Sequence, residues 1–346
     1  SEWFSNMGAP ELLVGFINDG LFGGVGAVLS FLPLIMVMYF LLGLLEDSGY
    51  MARAAYVMDR LMRGLGLHGK TFVSMIVSVG CNVPGIMSTR TLENKKDRMI
   101  AILINPFISC GARMPIYAVF VEAFFPTHQG LVLFSLYVLG IIVALISGKI
   151  FSKTLFKGES SYFVMELPAY RMPSIKNVFL LMWEKAGAFF KKAGMIIFPM
   201  MIVLWALSVL PLGVEPNSEH SILGMIGSFV APLFVLAGYG TWQAGVSLIT
   251  GILAKESVVA TMGMVYAGVE EGEALINVIQ QVFTPLSAIS FLVMTLLYTP
   301  CLAALGAIKR ETNSMKWTIF SAVYTFVIAL VLSTLVYQVG LLLGFQ

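Results

Sequence analysis

The chain has 346 residues, 58% hydrophobic and 12% charged, with a formal net charge of +2. A mean hydropathy of +0.88 is too high for a water-soluble domain of this length, so a polytopic, all-α membrane protein is expected. The three cysteines each lie inside an apolar segment, which argues against a disulfide framework, and nothing in the chain carries a nucleic-acid signature.

Taken in order, Ser1–Pro10 lacks the basic-then-apolar pattern of a signal peptide, and Glu11–Asn18 is amphipathic. Val25–Leu45 is long enough to span about 30 Å of hydrocarbon. Residues 50–66 then set Arg53, Arg60 and Arg63 against Tyr50, Val57 and Leu61 at helical spacing, which predicts a helix lying at the interface. Phe72–Thr91 is apolar but interrupted, with Pro84 as the expected breaker. Met99–Phe125 is interrupted likewise, with breaks expected at Pro106 and Pro115. Leu131–Phe151 is an ordinary span. A basic stretch to Lys192 holds a second amphipathic helix at Val178–Phe190, and further membrane segments are Gly194–Leu210, Ile222–Leu236, Val246–Ala267, Leu286–Ile308 and Trp317–Leu343.

Of the 21 Lys and Arg residues, four fall in 49–70, four in 90–98, eight in 149–192 and three in 309–316. The positive-inside rule makes those four stretches cytoplasmic and starts the chain outside. Because Phe72–Thr91 has basic stretches on both sides, it is expected to enter and return as a re-entrant hairpin. Val246–Ala267 has none on either side, and so is expected to be a hairpin entering from the opposite face. Laying Gly80-Cys81-Asn82 on Ala254-Lys255-Glu256 brings the hairpins into register and puts Ser109-Cys110 near Pro300-Cys301. Two such halves form an inverted repeat: residues 1–151, a cytoplasmic linker at 152–192, and residues 193–346, giving six spans and two hairpins.

Two short motifs mislead. Gly64–Thr71 has P-loop spacing and Asn94-Lys95-Lys96-Asp97 looks like a guanine-recognition tetrapeptide. A working P-loop follows a buried strand, however, and here a basic amphipathic helix precedes it, so nucleotide binding is not expected at either.

The residues that could carry chemistry sit at the breaks. Cys81, Cys110 and Cys301 are soft donors suited to Fe²⁺, Cu⁺ or Zn²⁺, and Asn82, Ser109 and Thr299 could complete a labile oxygen shell. The competing reading is that a membrane cysteine is a small residue in helix packing. Lys255, Glu256 and Arg113 are ionisable groups inside apolar segments and must be paired or wet. Glu256 suits a transient cation ligand or gate, whereas Lys255 and Arg113 suit neutralising a carboxylate or capping a half-helix. Glu46 and Asp47 end a helix, with a salt bridge to Arg53 or an exit site as their expected roles. A cysteine-nucleophile enzyme would need a nearby base, and His68, His128 and His220 all fall outside the expected membrane segments.

Five motifs, Glu46–Ala55, Gly80–Pro84, Pro106–Arg113, Val164–Pro168 and Ala254–Val259, together resemble the membrane portion of the bacterial ferrous iron transport protein B family, FeoB, along nearly the whole chain. The resemblance implies two gate modules in the bacterial cytoplasmic membrane and Fe²⁺ as the transported substrate. It also implies an iron path lined by Cys81, Cys110 and Cys301. Members carry an N-terminal cytosolic GTPase domain that this chain is expected to lack, so GTP and Mg²⁺ would act only through that domain. Expected partners are the bilayer, that GTPase domain, small accessory proteins of iron uptake, and further copies of the chain. A gate-type carrier of a nucleoside or other solute, or of another divalent metal, is the alternative.

Overall fold

The computed structural model describes residues 23–64, 66–156, 170–211, 218–267 and 273–344. The Glu11–Asn18 stretch and the Val164–Pro168 motif lie outside them. Every described element is helical.

The chain divides into two compact units, residues 1–50 with 169–225, and residues 51–168 with 226–346. Each unit draws on both halves of the sequence. In the first, α1 (Gly23–Asp47) packs against α8 (Ile175–Val209), with Val178 close to Gly43. The amphipathic stretch and the Gly194–Leu210 span, expected as separate pieces, are one continuous 35-residue helix. Pro199 sits inside it; kinked helices with proline persist where neighbours re-satisfy the freed carbonyl.

The second unit holds the amphipathic helix α2 (Tyr50–Gly64) and then a tight pair, α3 (Lys70–Gly80) and α4 (Asn82–Ser88). There follow α5 (Lys95–Ile104), α6 (Met114–Phe124) and α7 (Gln129–Lys153). From the second half come α9 (Ile222–Phe234) from Ile226 on, α10 (Trp242–Leu253), α11 (Ser257–Met262), α12 (Glu273–Val282), α13 (Pro285–Leu297), α14 (Leu302–Thr312) and α15 (Met315–Leu342). The two halves meet through aromatic rings. Phe120 stacks on Phe291 at 5.1 Å and meets Phe283 edge-on at 5.3 Å, while Phe107 and Phe151 both meet Tyr324 edge-on.

Lys95–Phe124, Gln129–Lys153, Pro285–Thr312 and Met315–Leu342 are long and apolar enough to cross a membrane, and the chain is a multi-pass membrane protein. Burial runs in the sense a bilayer demands. On α15 the buried residues are small or polar (Ser321, Thr325, Ala329, Ser333), whereas Ile319, Val323, Val327, Val331 and Leu335 form an exposed stripe. Small residues let helices approach, and the large apolar ones face lipid.

Both expected hairpins are present as folded pairs. Lys70 at the start of α3 donates its Nζ to Thr91 O (3.4 Å), so the segment returns to where it began. A Cβ on Gly85 would overlap Ser78 Oγ, which shows how closely α4 lies on α3. In the second hairpin Thr241, the N-cap of α10, meets Tyr266 Oη at 2.8 Å, and Thr250 meets Thr261 at 3.0 Å. Eleven residues of helix reach only about 16 Å, half a hydrocarbon core.

Pro106 stands at a break as expected, in the 3-10 turn Asn105–Phe107 directly after α5 ends, but the other two breaks are not at their prolines. Pro84 lies in the first turn of α4 and Pro115 in the first turn of α6, where a helix has no use for the missing N–H. The chain opens three residues before Pro84, at Cys81, and five to seven before Pro115, at Ile108-Ser109-Cys110, all extended where their angles are given. Neither misleading motif has a phosphate-binding context. Helix α2 precedes Gly64–Thr71, and Asn94 is the N-cap of α5, its Oδ1 accepting from Lys96 N at 2.9 Å.

Candidate functional site

Cys81, Cys110 and Cys301 each occupy an interruption between helices. Cys81 is the single extended residue between α3 and α4 (φ −153°, ψ 133°), Cys110 ends the extended run between α5 and α6, and Cys301 is the N-cap of α14. Such positions release a thiol from helix packing and leave neighbouring backbone groups unpaired. The three thiols are free, Cys110 buried and the others half-buried. They are near enough to interact electrostatically with one another, Cys81 with both of the others and with Glu256, and Cys301 with Lys255 as well. Among the described residues, no three His, Cys, Asp or Glu side chains gather closely enough to enclose an ion together.

The two halves present the same construction. Ala254 (φ −145°, ψ 126°) matches Cys81 in conformation, so the register between hairpins is one residue off the one read from sequence: Cys81 corresponds to Ala254 and Asn82 to Lys255. The side chains that follow do equivalent work. The Asn82 amide nitrogen, turned toward its acceptors, donates to Ile108 O at 3.3 Å and Ser78 O at 3.1 Å. The Lys255 ammonium donates to Thr299 O at 2.6 Å, with the Tyr298 ring centroid 3.2 Å away. In both halves the hairpin tip thus reaches a carbonyl two residues before a cysteine, Cys110 in one half and Cys301 in the other.

The remaining charges serve the breaks. Arg113 is fully buried and donates Nη1 to Ile108 O (3.1 Å) and Nη2 to Pro106 O (3.2 Å), satisfying carbonyls in the interruption that follows α5. Lys255 is 2% exposed and rests on an aromatic face, an arrangement that offsets part of its desolvation. Glu256, next to it, is half-buried. Ser109 Oγ lies 3.0 Å from Tyr117 Oη, so one of its hydrogen-bonding positions is taken. Away from this group, Asp47 accepts from Ser174 N (2.8 Å) and pairs with Arg171. An acid that opposes the dipole of its own helix therefore sits at the favourable N-terminus of α8, with Arg171 as the partner where Arg53 was expected. Glu46 beside it is exposed.

Comparison with known proteins bears on this arrangement. Residues 28–124 and 190–315 match the family model Gate, described as nucleoside recognition, which covers more than half of the chain with one stretch in each half. The chain belongs to the Gate family. Between those stretches, residues 133–185 match the ferrous iron transport protein B C terminus. Among curated relatives, the Fe(2+) transporter FeoB of Staphylococcus aureus strain MSSA476 is 49% identical over 335 residues, 96% of this chain and 50% of the relative. The FeoB of Methanocaldococcus jannaschii is 43% identical over 352 residues, 99% of this chain and 52% of the relative. A Porphyromonas gingivalis W83 relative, 41% identical over 94% of this chain and 44% of its own length, is a fusion of Fe(2+) transport protein A with FeoB. This Gate chain therefore spans about half the length of the relatives it matches and aligns with the membrane part of FeoB. No solved structure matches it.

Three further residues of this Gate chain stand out only once it is folded. Asn105 is fully buried with neither amide atom hydrogen-bonded, and the Tyr298 hydroxyl is also unpartnered. Glu311 has a 1% exposed carboxylate. A buried Asn directly before Pro106 was a signal available in the sequence. The role of Glu311 was masked by its place in the basic run Lys309-Arg310.

Proposed function

We propose that this chain is the membrane permease core through which Fe²⁺ crosses the bacterial cytoplasmic membrane inward. The observation that carries the reading is that three thiols, drawn from both halves, each stand at a separate helix interruption in one unit, near enough to feel one another's charge. Relatives aligned over nearly the whole chain are named Fe(2+) transporters. In this reading Cys81, Cys110 and Cys301 act in succession and Asn82, Ser109 and Glu256 supply oxygen. A complete thiolate cage would hold the ion too tightly to release it, whereas separated donors allow transfer. Lys255 and Arg113 hold the breaks open, and Glu46 and Asp47 stand at the end of α1.

Residues 1–151 and 193–346 act as oppositely inserted modules joined by the 152–192 linker; the repeated hairpin-tip construction supports that division. In the whole protein a cytosolic GTPase domain, with GTP and Mg²⁺, drives or gates the core, and this chain performs no catalysis itself. The fusion relative supports a small accessory protein as partner, and further copies of the chain as neighbours in the membrane complete the assembly.

The test is uptake into proteoliposomes. Under anaerobic conditions, vesicles carrying the chain should accumulate Fe²⁺, and an excess of nucleoside should not compete. Nucleoside accumulation without Fe²⁺ would assign the site to the organic solute in the family description instead.

A further inference from the structure

Helices α4 and α14 pack along a seam with the thiols at one end and a buried carboxylate at the other. On α14, Cys301, Ala304, Ile308 and Glu311 recur at three- and four-residue spacing and so share a face. Ile86 of α4, Ile102 of α5, and Ala304, Ala307 and Ile308 form a separate cluster, three-fifths of it isoleucine, with four of the five wholly inaccessible. Val83, Leu305 and Cys301 border it. Beyond it, Glu311 is gripped by two arginines. Arg90 places Nε 2.9 and 2.8 Å and Nη2 2.5 Å from the carboxylate oxygens, and Arg98 Nη2 lies 3.0 Å from Oε2 and 3.2 Å from Glu311 O.

We propose that this seam is a gate between the thiols and the basic face of the protein, with Glu311 as its lock. The inference rests on the iron route proposed above. A plug of buried apolar side chains excludes a hydrated ion, in the manner of hydrophobic constrictions in channels. From Cys301 to Glu311 it runs about 15 Å. Opening it requires α4 to leave α14, and Arg90, just past the end of α4, is the residue that ties the first hairpin to α14. Arg98 lies on α5 and contacts Glu311 independently. When Arg90 departs, the carboxylate therefore keeps one partner and is not stranded without charge compensation, a condition for two accessible arrangements. Arg90 is 46% and Arg98 34% exposed, so both are reachable from the basic face.

The experiment reads the native thiols. Inside-out vesicles containing the full chain are treated with a membrane-impermeant maleimide, and modification of Cys81 and Cys301 is followed by mass spectrometry for wild type, Arg90→Gln and Glu311→Gln. A lock predicts slow labelling in wild type and labelling faster by about tenfold in both variants, the population change equivalent to about 1.4 kcal/mol. Equal rates in wild type and in variants that retain the wild-type gel-filtration profile overturn the gate. Should Glu311→Gln fail to fold, Arg90→Gln, a substitution at a half-exposed position, decides alone. Fe²⁺ uptake by right-side-out proteoliposomes of the same proteins is a separate readout: failure of wild-type uptake removes the iron route, whereas unchanged labelling removes the gate.

Discussion

The ammonium of Lys255, at the tip of the second hairpin, donates to the carbonyl of Thr299 in the break between α13 and α14, 2.6 Å away. Asn82 makes the corresponding reach to Ile108 in the first half. One half thus uses a neutral amide and the other a full charge for the same tether. Hydrogen bonds from charged donors contribute about 1.5–3 kcal/mol, so Lys255→Met should lower the thermal unfolding temperature in detergent, while Lys255→Arg should lose less. A Met variant with wild-type stability and uptake would mean the tether is idle.

The hairpins depend on close approach. A Cβ at Gly85 would overlap Ser78 Oγ, and one at Gly251 would overlap Tyr298 Oη and Val258. Gly85→Ala and Gly251→Ala should each destabilise by about 1–3 kcal/mol, the usual cost of overpacking. Adding Ser78→Ala to Gly85→Ala should recover part of the loss, because Ser78 Cβ, 2.9 Å from the added atom, still crowds it. The check is thermal unfolding of the single and double variants.

Asp47 stabilises a helix other than its own. Asp47→Ala should speed amide hydrogen exchange in the first turn of α8, Ser174 to Val178, and leave α1 unchanged, because the lost acceptor serves Ser174 N. Exchange followed by mass spectrometry resolves the two helices.

His68 gives the fold a pH dependence. Its Nδ1 accepts from Lys70 N at 3.1 Å at the start of α3. Burial pushes its pKa below the usual value, partly opposed by Asp97 and Asp59 and reinforced by Lys70 and Arg63. A folded-state pKa lower than the unfolded one means that the unfolded chain takes the proton first. The contribution is therefore complete above about pH 6.5 and is lost as pH falls through the folded value. The stability difference between wild type and His68→Asn, measured by thermal unfolding from pH 7.5 to 5, should shrink as pH falls.

How much of this was legible in the residues differs by feature. Both hairpins followed from where Lys and Arg fall, because charge asymmetry and span length are one-dimensional quantities that the sequence states outright. The breaks were legible only to within a few residues. Proline signals an interruption nearby, yet Pro84 and Pro115 fit the first turn of the following helix better than the interruption itself. The continuity of α8 was hidden because Lys191 and Lys192 in mid-helix look like a boundary. The one-residue register shift could not be read at all: Cys81 and Ala254 share a backbone conformation and no side-chain chemistry. Glu311 finds its partners 221 and 213 residues away, a pairing only the folded chain brings about.

The central claim is that Fe²⁺ moves past sulfur at the helix interruptions, and anaerobic Fe²⁺ uptake by proteoliposomes carrying Cys81→Ser, Cys110→Ser and Cys301→Ser together tests it most directly. Serine keeps the size and removes the soft donor, so the account predicts that uptake falls to the level of empty vesicles while the protein keeps its unfolding temperature. Uptake by the triple variant at the wild-type rate and with wild-type metal preference would contradict it.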